Sequence, residues 1–133
     1  MRITLASVFV DDQQAALAFY TDVLGFKEHH NIPMGDDYWT TVVSTESPDG
    51  PQLLLEPSGH RAVKPYRDAL REDSIPALQL EVDDVDAEHA RLVSAGVEFT
   101  LEPMEAGPVK MAIFDDTCGN LVVITSPAPA PEG

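Results

Sequence analysis

Four histidines and one cysteine are the main side chains of this sequence that could support acid–base or metal chemistry. His29 and His30 are adjacent in a strand-like run, so their side chains should point to opposite faces and could not hold one ion together. His89 borders the apolar stripe of a predicted helix, where a packed role is expected. His60 begins a connector between two predicted halves of the chain. It is therefore the histidine that we expect to touch a ligand.

Cys118 is the other candidate for chemistry, and it lies in the turn-like segment DDTCGN at residues 115–120. A cysteine nucleophile needs a base or a positive charge that stabilises its thiolate. The neighbouring Asp115 and Asp116 would raise the pKa of the thiol instead. The sequence therefore predicts a structural cysteine and assigns no catalytic residue.

Charge excludes several classes of partner. The 133 residues include 8 lysines and arginines against 23 aspartates and glutamates, a formal net charge of -15. Nucleic-acid affinity depends on cations that neutralise phosphates, so neither nucleic acid nor an anionic membrane surface is an expected partner. No apolar run approaches the about 18 residues of a membrane-spanning helix, and the first twelve residues lack the long apolar region of a signal peptide. Since a single cysteine cannot form an internal disulfide, we expect a cytoplasmic protein.

The first part of the chain predicts one helix among four strands. Residues 3–10 form an apolar run that ends at Asp11 and Asp12, which is typical of a strand followed by a helix N-cap. Apolar residues recur at helical spacing over residues 13–24, and Gly25 supplies the C-terminal stop. Three more strand-like runs follow, separated by turn residues, at 26–32, 38–44 and 52–56.

The second part repeats this β-α-β-β-β order. Its predicted strands and helix are at residues 77–82, 85–95 (helix), 97–101, 109–114 and 121–125. The segment VDD at 10–12 matches VDD at 82–84 at an offset of 72, and Leu53 matches Val123 at an offset of 70. A period this long, present twice, indicates a duplicated unit. We assign unit one to residues 1–57, a connector to 58–75, unit two to 76–127, and a flexible proline-rich tail to 128–133.

Each unit would cover one face of its sheet with its helix and leave the other face free. The economical α+β arrangement places the two four-stranded sheets side by side around a shared cleft. The segment FVDDQQAALAFYTDVLGF, the turn DDTCGN and the duplicated unit resemble the vicinal oxygen chelate superfamily over residues 1 to about 127. That superfamily includes glyoxalase I, bleomycin-resistance proteins, fosfomycin-resistance enzymes, methylmalonyl-CoA epimerase and extradiol dioxygenases. The resemblance implies tandem βαβββ units forming two curved mixed sheets, and a homodimer, but no single activity.

The resemblance also implies where a metal ion would be held. In metal-dependent members, His, Glu or Gln side chains from the first and last strands of both units bind the ion. The corresponding positions here are Leu5 and Leu53 in unit one and, by the internal repeat, Ala77 and Val123 in unit two. All four side chains are apolar and unsuited to a cation. We therefore predict neither a metal nor a cofactor.

A shift in strand phase does not restore these ligands, although neighbouring strand residues face opposite ways. A shift of two residues brings in Gln79 and Glu81, which come from one strand and cannot form a cage. A shift of one residue in the last strand of unit one offers Gln52 and Glu56, and leaves the other three positions without a ligand. We predict a largely apolar cleft with Gln79 and Glu81 as polar points and the following floor residues: Leu5, Phe9, Leu53, Ala77 and Val123.

Aromatic side chains add a further expectation. Tyr38 and Trp39 are neighbours on a strand, so one ring should face the cleft and could stack on a planar ligand. The sequence does not fix which of the two it is.

The connector holds half of the basic residues of the chain, namely Arg61, Lys64, Arg67 and Arg71. Pro65 is well placed to begin a short helix through about residue 72. This helix could be a solvated joint between the units. It could instead be a lid whose charges, with Tyr66 or His60, recognise an acidic ligand, in which case Arg67→Ala and Arg71→Ala weaken binding and leave stability unchanged.

These observations favour a metal-free protein, of the bleomycin-resistance type, that sequesters an apolar or aromatic small molecule. One alternative is a metal-dependent lyase, isomerase or dioxygenase, for which Glu56, Glu81 and His60 are the first candidates. Another is a pair of sheets that serve only as a homodimer interface. Whether the chain catalyses a reaction stays open at this point.

Overall fold

The computed structural model describes residues 1–128. The first unit contains β1 (Leu5–Val10), α1 (Gln13–Ala18), β2 (Lys27–Met34), β3 (Asp37–Val43) and β4 (Gln52–Pro57). The connector forms α2 (Val63–Glu72). The second unit contains β5 (Leu78–Glu81), α3 (Val85–Ser94), β6 (Phe99–Ala106), β7 (Val109–Asp115) and β8 (Leu121–Pro127).

The strands form two four-stranded mixed sheets with the same topology. The first sheet has the order β1-β4-β3-β2 and the second has the order β5-β8-β7-β6. In each sheet the first strand pairs in parallel with the last, and the remaining neighbours pair antiparallel. The predicted α+β fold of tandem βαβββ units is confirmed.

Helices α1 and α3 begin in the same way in the two units. The carboxylate of Asp12 accepts a hydrogen bond from the backbone N–H of Ala15 at 2.9 Å, and Asp84 accepts one from the N–H of Ala87 at 3.2 Å. Each aspartate thus satisfies a first-turn amide that has no partner inside the helix. The units differ after this point, because α1 continues into a π-helical turn, Phe19–Val23, whereas the sequence predicted one continuous helix.

Each helix covers one face of the sheet of its own unit. In the first unit Val8 and its strand partner Leu55 are buried beneath the helical segment that carries Tyr20. In the second unit Ile124 packs with Leu92 of α3. Alternation along the strands then leaves the opposite face of each sheet without a helical cover. These uncovered surfaces are called the open faces below.

Three apolar side chains join the two cores. Phe19, Leu24 and Leu78 pack against the buried cluster of the first unit and also against that of the second. The helical side of unit one is therefore in contact with the core of unit two. The open faces take no part in either of these clusters, since the buried strand residues in them lie on the helical sides.

Helix α2 is fixed to both units through Arg67, whose side chain is only 11% exposed. One guanidinium nitrogen donates to the hydroxyl of Ser58 at 3.0 Å and to the carbonyl oxygens of Phe9 and Cys118, both at 3.3 Å. Another pairs with Asp11. These contacts argue against the expectation that Arg67 could be replaced without loss of stability, because this arginine connects the helix to strand β1 and to the β7–β8 turn.

Near the C-terminus, the backbone N–H of Ala128 donates to the carbonyl of Pro108 at 2.9 Å. The rest of the predicted tail, residues 129–133, lies outside the described residues. Among residues 1–128, no helix has both the length and the apolar character needed to cross a lipid bilayer.

Candidate functional site

The open face of the first sheet carries an apolar and aromatic surface. Leu5, Ser7 and Phe9 alternate with the buried residues of β1 and so share this face. Leu54 lies opposite Ser7, and Thr41 of β3 lies opposite Leu54. Two residues from Thr41, the ring of Trp39 is on the same face and is half-buried.

The open face of the second sheet brings together the residues predicted there. Gln79 lies opposite Val123, and Glu81 lies opposite Thr125, so these residues share the face that α3 does not cover. Val123 also forms a small cluster with Ile113 and with Leu121, the first residue of β8, on this side of the sheet. Gln79 and Glu81 are exposed, as polar contacts for a ligand would have to be.

Ala77 precedes β5 at the edge of the second open face. Its N–H donates to the carbonyl of Leu121 at 2.9 Å, which extends the parallel pairing by one residue. Ala77 and Leu121 line a small crevice. Leu70 and Arg71 of α2 line the same crevice. The connector helix therefore borders this end of the open face.

Leu53 does not lie on the open face, and its assignment to the floor of the cleft is wrong. Leu53 pairs with Val42 and is buried with it in the core beneath α1. Ser7 and Gln79 are equivalent at the offset of 72, and their partners are Leu54 and Val123. Leu54 is thus the true counterpart of Val123, one residue from the position that the repeat alignment gave. It is also a leucine, so the position keeps its apolar character.

The structure settles which ring of the Tyr38–Trp39 pair lies on the open face. Trp39 lies opposite Ile32 on the open side, while Tyr38 lies on the other side, above the start of α1. There the side chain of Gln13 accepts from the N–H of Tyr38 at 3.0 Å and donates to its carbonyl at 2.7 Å. Tyr38 is therefore separated from the other predicted site residues.

The connector residues His60 and Tyr66 are both exposed. His60 has a local role, since its Nδ1 accepts a hydrogen bond from the backbone N–H of Ala62 at 3.1 Å at the start of α2. Tyr66 is 58% exposed on α2. Arg71 pairs with Asp115 of β7 and is more exposed than Arg67. The first interpretation of this helix, a joint between the units, accounts for the contacts of both arginines.

The histidine pair at the start of β2 differs from its prediction. The register of β2 against β3 shifts between Glu28 and His30, which is a β-bulge. Alternation is broken there, so the rings of His29 and His30 lie in edge-on contact with centroids 4.4 Å apart. His89 is packed, as expected, with its ring centroid 4.5 Å from that of Phe99.

The four positions that correspond to metal ligands are occupied by Leu5, Leu54, Ala77 and Val123 once the phase of β4 is corrected. Hydrocarbon side chains offer no lone pair to a cation. Within residues 1–128, no three His, Cys, Asp or Glu side chains are grouped so that they could hold a metal ion. The residues present on the open faces do not fit the metal centre of the family.

Thr41 is a polar group on the open side that the sequence did not single out. Its side chain is fully buried, and its hydroxyl has no hydrogen-bond partner among residues 1–128. The adjacent Thr40 faces the helical side, where its hydroxyl donates to Asn31 at 3.0 Å. A buried hydroxyl without a hydrogen-bond partner lowers the stability of the folded state, so we expect Thr41 to be an unfavourable residue at this position.

Cys118 lies in a network that disfavours its thiolate. The buried carboxylate of Asp116 accepts from the backbone N–H groups of Cys118 and Asn120 at 2.8 and 2.9 Å and from the hydroxyl of Tyr20 at 2.8 Å. Burial, with the charge of Asp116, raises the pKa of the Cys118 thiol to about 12. The same two causes raise the pKa of Tyr20. These groups stabilise the turn and the contact between units, and offer no nucleophile near neutral pH.

Comparisons with known proteins agree with this geometry. Residues 2–124 match the family model of the Glyoxalase/Bleomycin resistance protein/Dioxygenase superfamily. The chain is 47% identical over 124 residues to the uncharacterized protein YurT of Bacillus subtilis (strain 168), covering 93% of this chain and 98% of that protein.

Two solved structures are similar over nearly their whole length. UcmS2 superposes with a TM-score of 0.81 at 29% identity, covering 94% of this chain and 97% of that one. TnmS3, an antibiotic binding protein from Streptomyces sp. CB03234, has a TM-score of 0.78 at 29% identity, covering 96% and 97%. The duplicated topology, the family match and these relatives agree. The chain belongs to the glyoxalase/bleomycin resistance protein/dioxygenase superfamily.

Proposed function

We propose that this protein binds an apolar or aromatic small molecule on its open faces, without a metal ion, and so withdraws it from solution in the cytoplasm. The observation that carries the proposal is the apolar chemistry of the two open faces. Where metal-dependent relatives need ligands, this chain has Leu5, Leu54, Ala77 and Val123, and it adds Phe9 and Trp39 beside them. Such a surface suits burial of hydrocarbon and stacking of planar rings.

We also propose that a second copy of the chain completes the site. Several large apolar side chains on the open faces are exposed: Leu5 by 39%, Ile32 by 49%, Met34 by 59% and Met104 by 45%. The helical sides of the two units are already in contact through Phe19 and Leu24. A homodimer in which open faces meet would cover this apolar surface and enclose a ligand between sheets.

Two polar residues at the rim of the proposed site could orient a bound ligand. Gln79 and Glu81 are exposed on the second open face, opposite Val123 and Thr125. Burial of apolar ligand surface contributes about 25 cal/mol per Å² before the entropy of association is subtracted. This contribution depends on area and is similar for all apolar molecules of one size, so the polar contacts determine which of them binds best. The antibiotic-binding relative TnmS3 supports a binding role on this fold.

Binding of the neutral dye N-phenyl-1-naphthylamine tests the proposal. Trp39 is the single tryptophan of the chain and lies on the open face, so energy transfer from Trp39 to the dye reports binding there. We expect Ala77→Glu, which places a charge on the open face, to weaken dye binding by at least about tenfold. The matched control, Ala90→Glu on the exposed side of α3, should bind as the unaltered protein does.

Metal analysis of protein purified without chelators completes the experiment, together with the molar mass in solution. We expect less than stoichiometric transition metal and a dimer mass. One bound equivalent of nickel, zinc, manganese or iron per chain, combined with no dye binding, would favour a metal-dependent enzyme and overturn the proposal.

A further inference from the structure

A cavity distinct from the open faces lies between the two units, on the helical side of the second sheet. Its volume is about 340 Å³, within the range of about 300–1,000 Å³ typical of small-molecule sites. Unit one contributes the turn from the π-helical segment into β2 and the residues that follow β3. Unit two contributes the end of β5, the turn that begins α3, and one side of α3.

The floor of this cavity is hydrocarbon. Leu92, Phe114 and Ile124, all buried members of the second core, line it, and Leu24 and Phe26 line it from unit one. A molecule placed here would remove apolar surface of the core from water. The floor alone would accept any apolar group of suitable size.

The rim of the cavity is acidic. Glu46 lines the wall of unit one. The wall of unit two carries four acidic residues: Glu81, Asp83, Asp84 and Glu88. The one basic residue in the lining is Arg91, whose guanidinium donates to Glu88 at 2.8 Å and to the backbone carbonyl of Val23 at 2.8 Å.

Its positive charge is therefore already matched by Glu88. Within residues 1–128, the other four carboxylates in the lining form no ion pair: those of Glu46, Glu81, Asp83 and Asp84. The nearby Lys110 is paired with Asp86, which does not line the cavity. The rim therefore carries an uncompensated negative charge above an apolar floor.

From this arrangement we propose that the cavity binds a small organic cation with an apolar body, such as a hydrophobic amine or quaternary ammonium compound. Its apolar part would lie against Leu92, Phe114 and Ile124. Its positive charge would lie between Glu46 and Asp83, on opposite walls. The ring of Phe26 adds a surface to which an organic cation is attracted.

This site is separate from the one proposed on the open faces. Trp39 lies on the open face of β3, whereas the cavity is reached from the residues after the end of that strand, Ser44 and Thr45. Five residues of strand span roughly 16 Å, so a cavity ligand should leave the emission of Trp39 unchanged. Glu81 borders both surfaces and is therefore not used in the test.

A pair of nearly isosteric probes tests the inference. Phenyltrimethylammonium and tert-butylbenzene have the same shape, and only the first carries a positive charge. Amide chemical-shift titrations of the full chain should show shifts at residues 24–26 and at Ala87, which line the cavity. We expect the cation to bind about tenfold more tightly than the neutral probe, with an affinity that falls as salt is added.

Three variants make the result specific. Glu46→Gln combined with Asp83→Asn should weaken the cation about fivefold and leave the neutral probe unchanged. Glu72→Gln, which alters an exposed carboxylate at the end of α2, is the control and should change neither. Ala87→Leu fills the cavity from the exposed side of α3 and should abolish binding of both probes while the amide spectrum stays folded.

Equal affinities for the two probes would overturn the charge part of the inference. Shifts confined to the open faces, with quenching of Trp39 and normal binding to Ala87→Leu, would overturn the location. No binding of the cation at millimolar concentration would overturn the site itself. None of these results depends on whether the open faces bind an apolar ligand.

Discussion

The guanidinium of Arg67 lies flat against Gly119, so closely that a Cβ on this glycine would be 2.8 Å from the guanidinium carbon. Gly119 also has φ of +103°, which side-chain-bearing residues rarely adopt. The β7–β8 turn of unit two is thus shaped to receive an arginine from the connector. The contact explains why a basic residue is nearly buried in an acidic protein.

Arg67→Ala should lower the free energy of unfolding by about 2–4 kcal/mol, because it removes hydrogen bonds to Ser58 and two carbonyl groups and the partner of Asp11. Urea denaturation monitored by Trp39 fluorescence measures the change. Arg71→Ala is the comparison, since Arg71 is 42% exposed in its pair with Asp115 and should cost less than about 1 kcal/mol. Equal costs for both variants would contradict the structural role of Arg67.

The corrected phase of β4 predicts opposite effects for two apolar positions on neighbouring strands. Leu53→Ala should lower the free energy of unfolding by about 2–5 kcal/mol, since this side chain is buried beneath α1, and leave the affinity of the folded protein for the dye unchanged. Phe9→Ala should weaken dye binding more than it weakens folding. Urea denaturation measures the free energy of unfolding of both variants, and dye titration measures their affinity for the dye. Loss of dye affinity in folded Leu53→Ala would place Leu53 on the open face after all.

Two adjacent buried threonines provide a matched test of hydrogen bonding. Thr41→Val removes a hydroxyl without a partner and should raise the free energy of unfolding by about 1 kcal/mol. Thr40→Val removes a hydroxyl that donates to Asn31 and should lower it by a similar amount, about 1 kcal/mol. Thermal and urea unfolding of both variants give the comparison. A destabilised Thr41→Val would mean that this hydroxyl is paired in solution.

Cys118 should resist thiol reagents in the folded protein. Its pKa is raised from 9.0 to about 12, so its thiolate fraction near pH 8 is lowered by a factor of about a thousand. We expect almost no reaction with 5,5′-dithiobis(2-nitrobenzoate) under native conditions and one full equivalent in urea. Rapid labelling of the folded chain would show that the turn opens readily or that the thiol is not buried.

Stability should decline in alkaline solution. Burial raises the pKa of Cys118 to about 12 and also raises that of Tyr20 above its ordinary value of 10.0. In the unfolded chain both groups release their protons at lower pH than in the native chain. The protonated forms of Tyr20 and Cys118 therefore stabilise the folded chain fully below about pH 9. Above that pH the free energy of unfolding falls by up to about 1.4 kcal/mol per pH unit for each group.

Urea unfolding between pH 7 and pH 11 measures this decline. Tyr20→Phe should be less stable at pH 7, since it lacks the hydrogen bond to Asp116, and its stability should fall less steeply above pH 10. An unchanged slope in this variant would remove Tyr20 from the explanation.

The repeated element order could be predicted because each unit marks its ends in the same way. Aspartates at 11–12 and 83–84 precede the helices, and glycines end them, so the order of the elements and the starts of both helices can be predicted locally. The end of β6 cannot, since this strand extends to Ala106, five residues beyond its predicted end. These markers act through local backbone chemistry, which a sequence shows directly. The four-stranded topology then follows from the family resemblance.

The phase of β4 could not be predicted in the same way. Residues 53–55 are three consecutive leucines, so apolar alternation carries no information on which of them faces α1. The pairing of Leu54 with Ser7 decides it, and pairing is a property of the folded sheet. The bulge between Glu28 and His30 and the burial of Arg67 likewise depend on contacts with distant residues.

Phe19, Leu24 and Leu78 belong to both cores at once, and this has a consequence for the evolutionary history of the duplication. A fragment that contains one repeat alone would lack some of the side chains that cover its core. It would expose apolar side chains to water. We infer that a single ancestral repeat would have needed a second copy of itself to supply these contacts. Joining two copies in one chain would make these contacts intramolecular, so we expect that neither half has a complete core without the other.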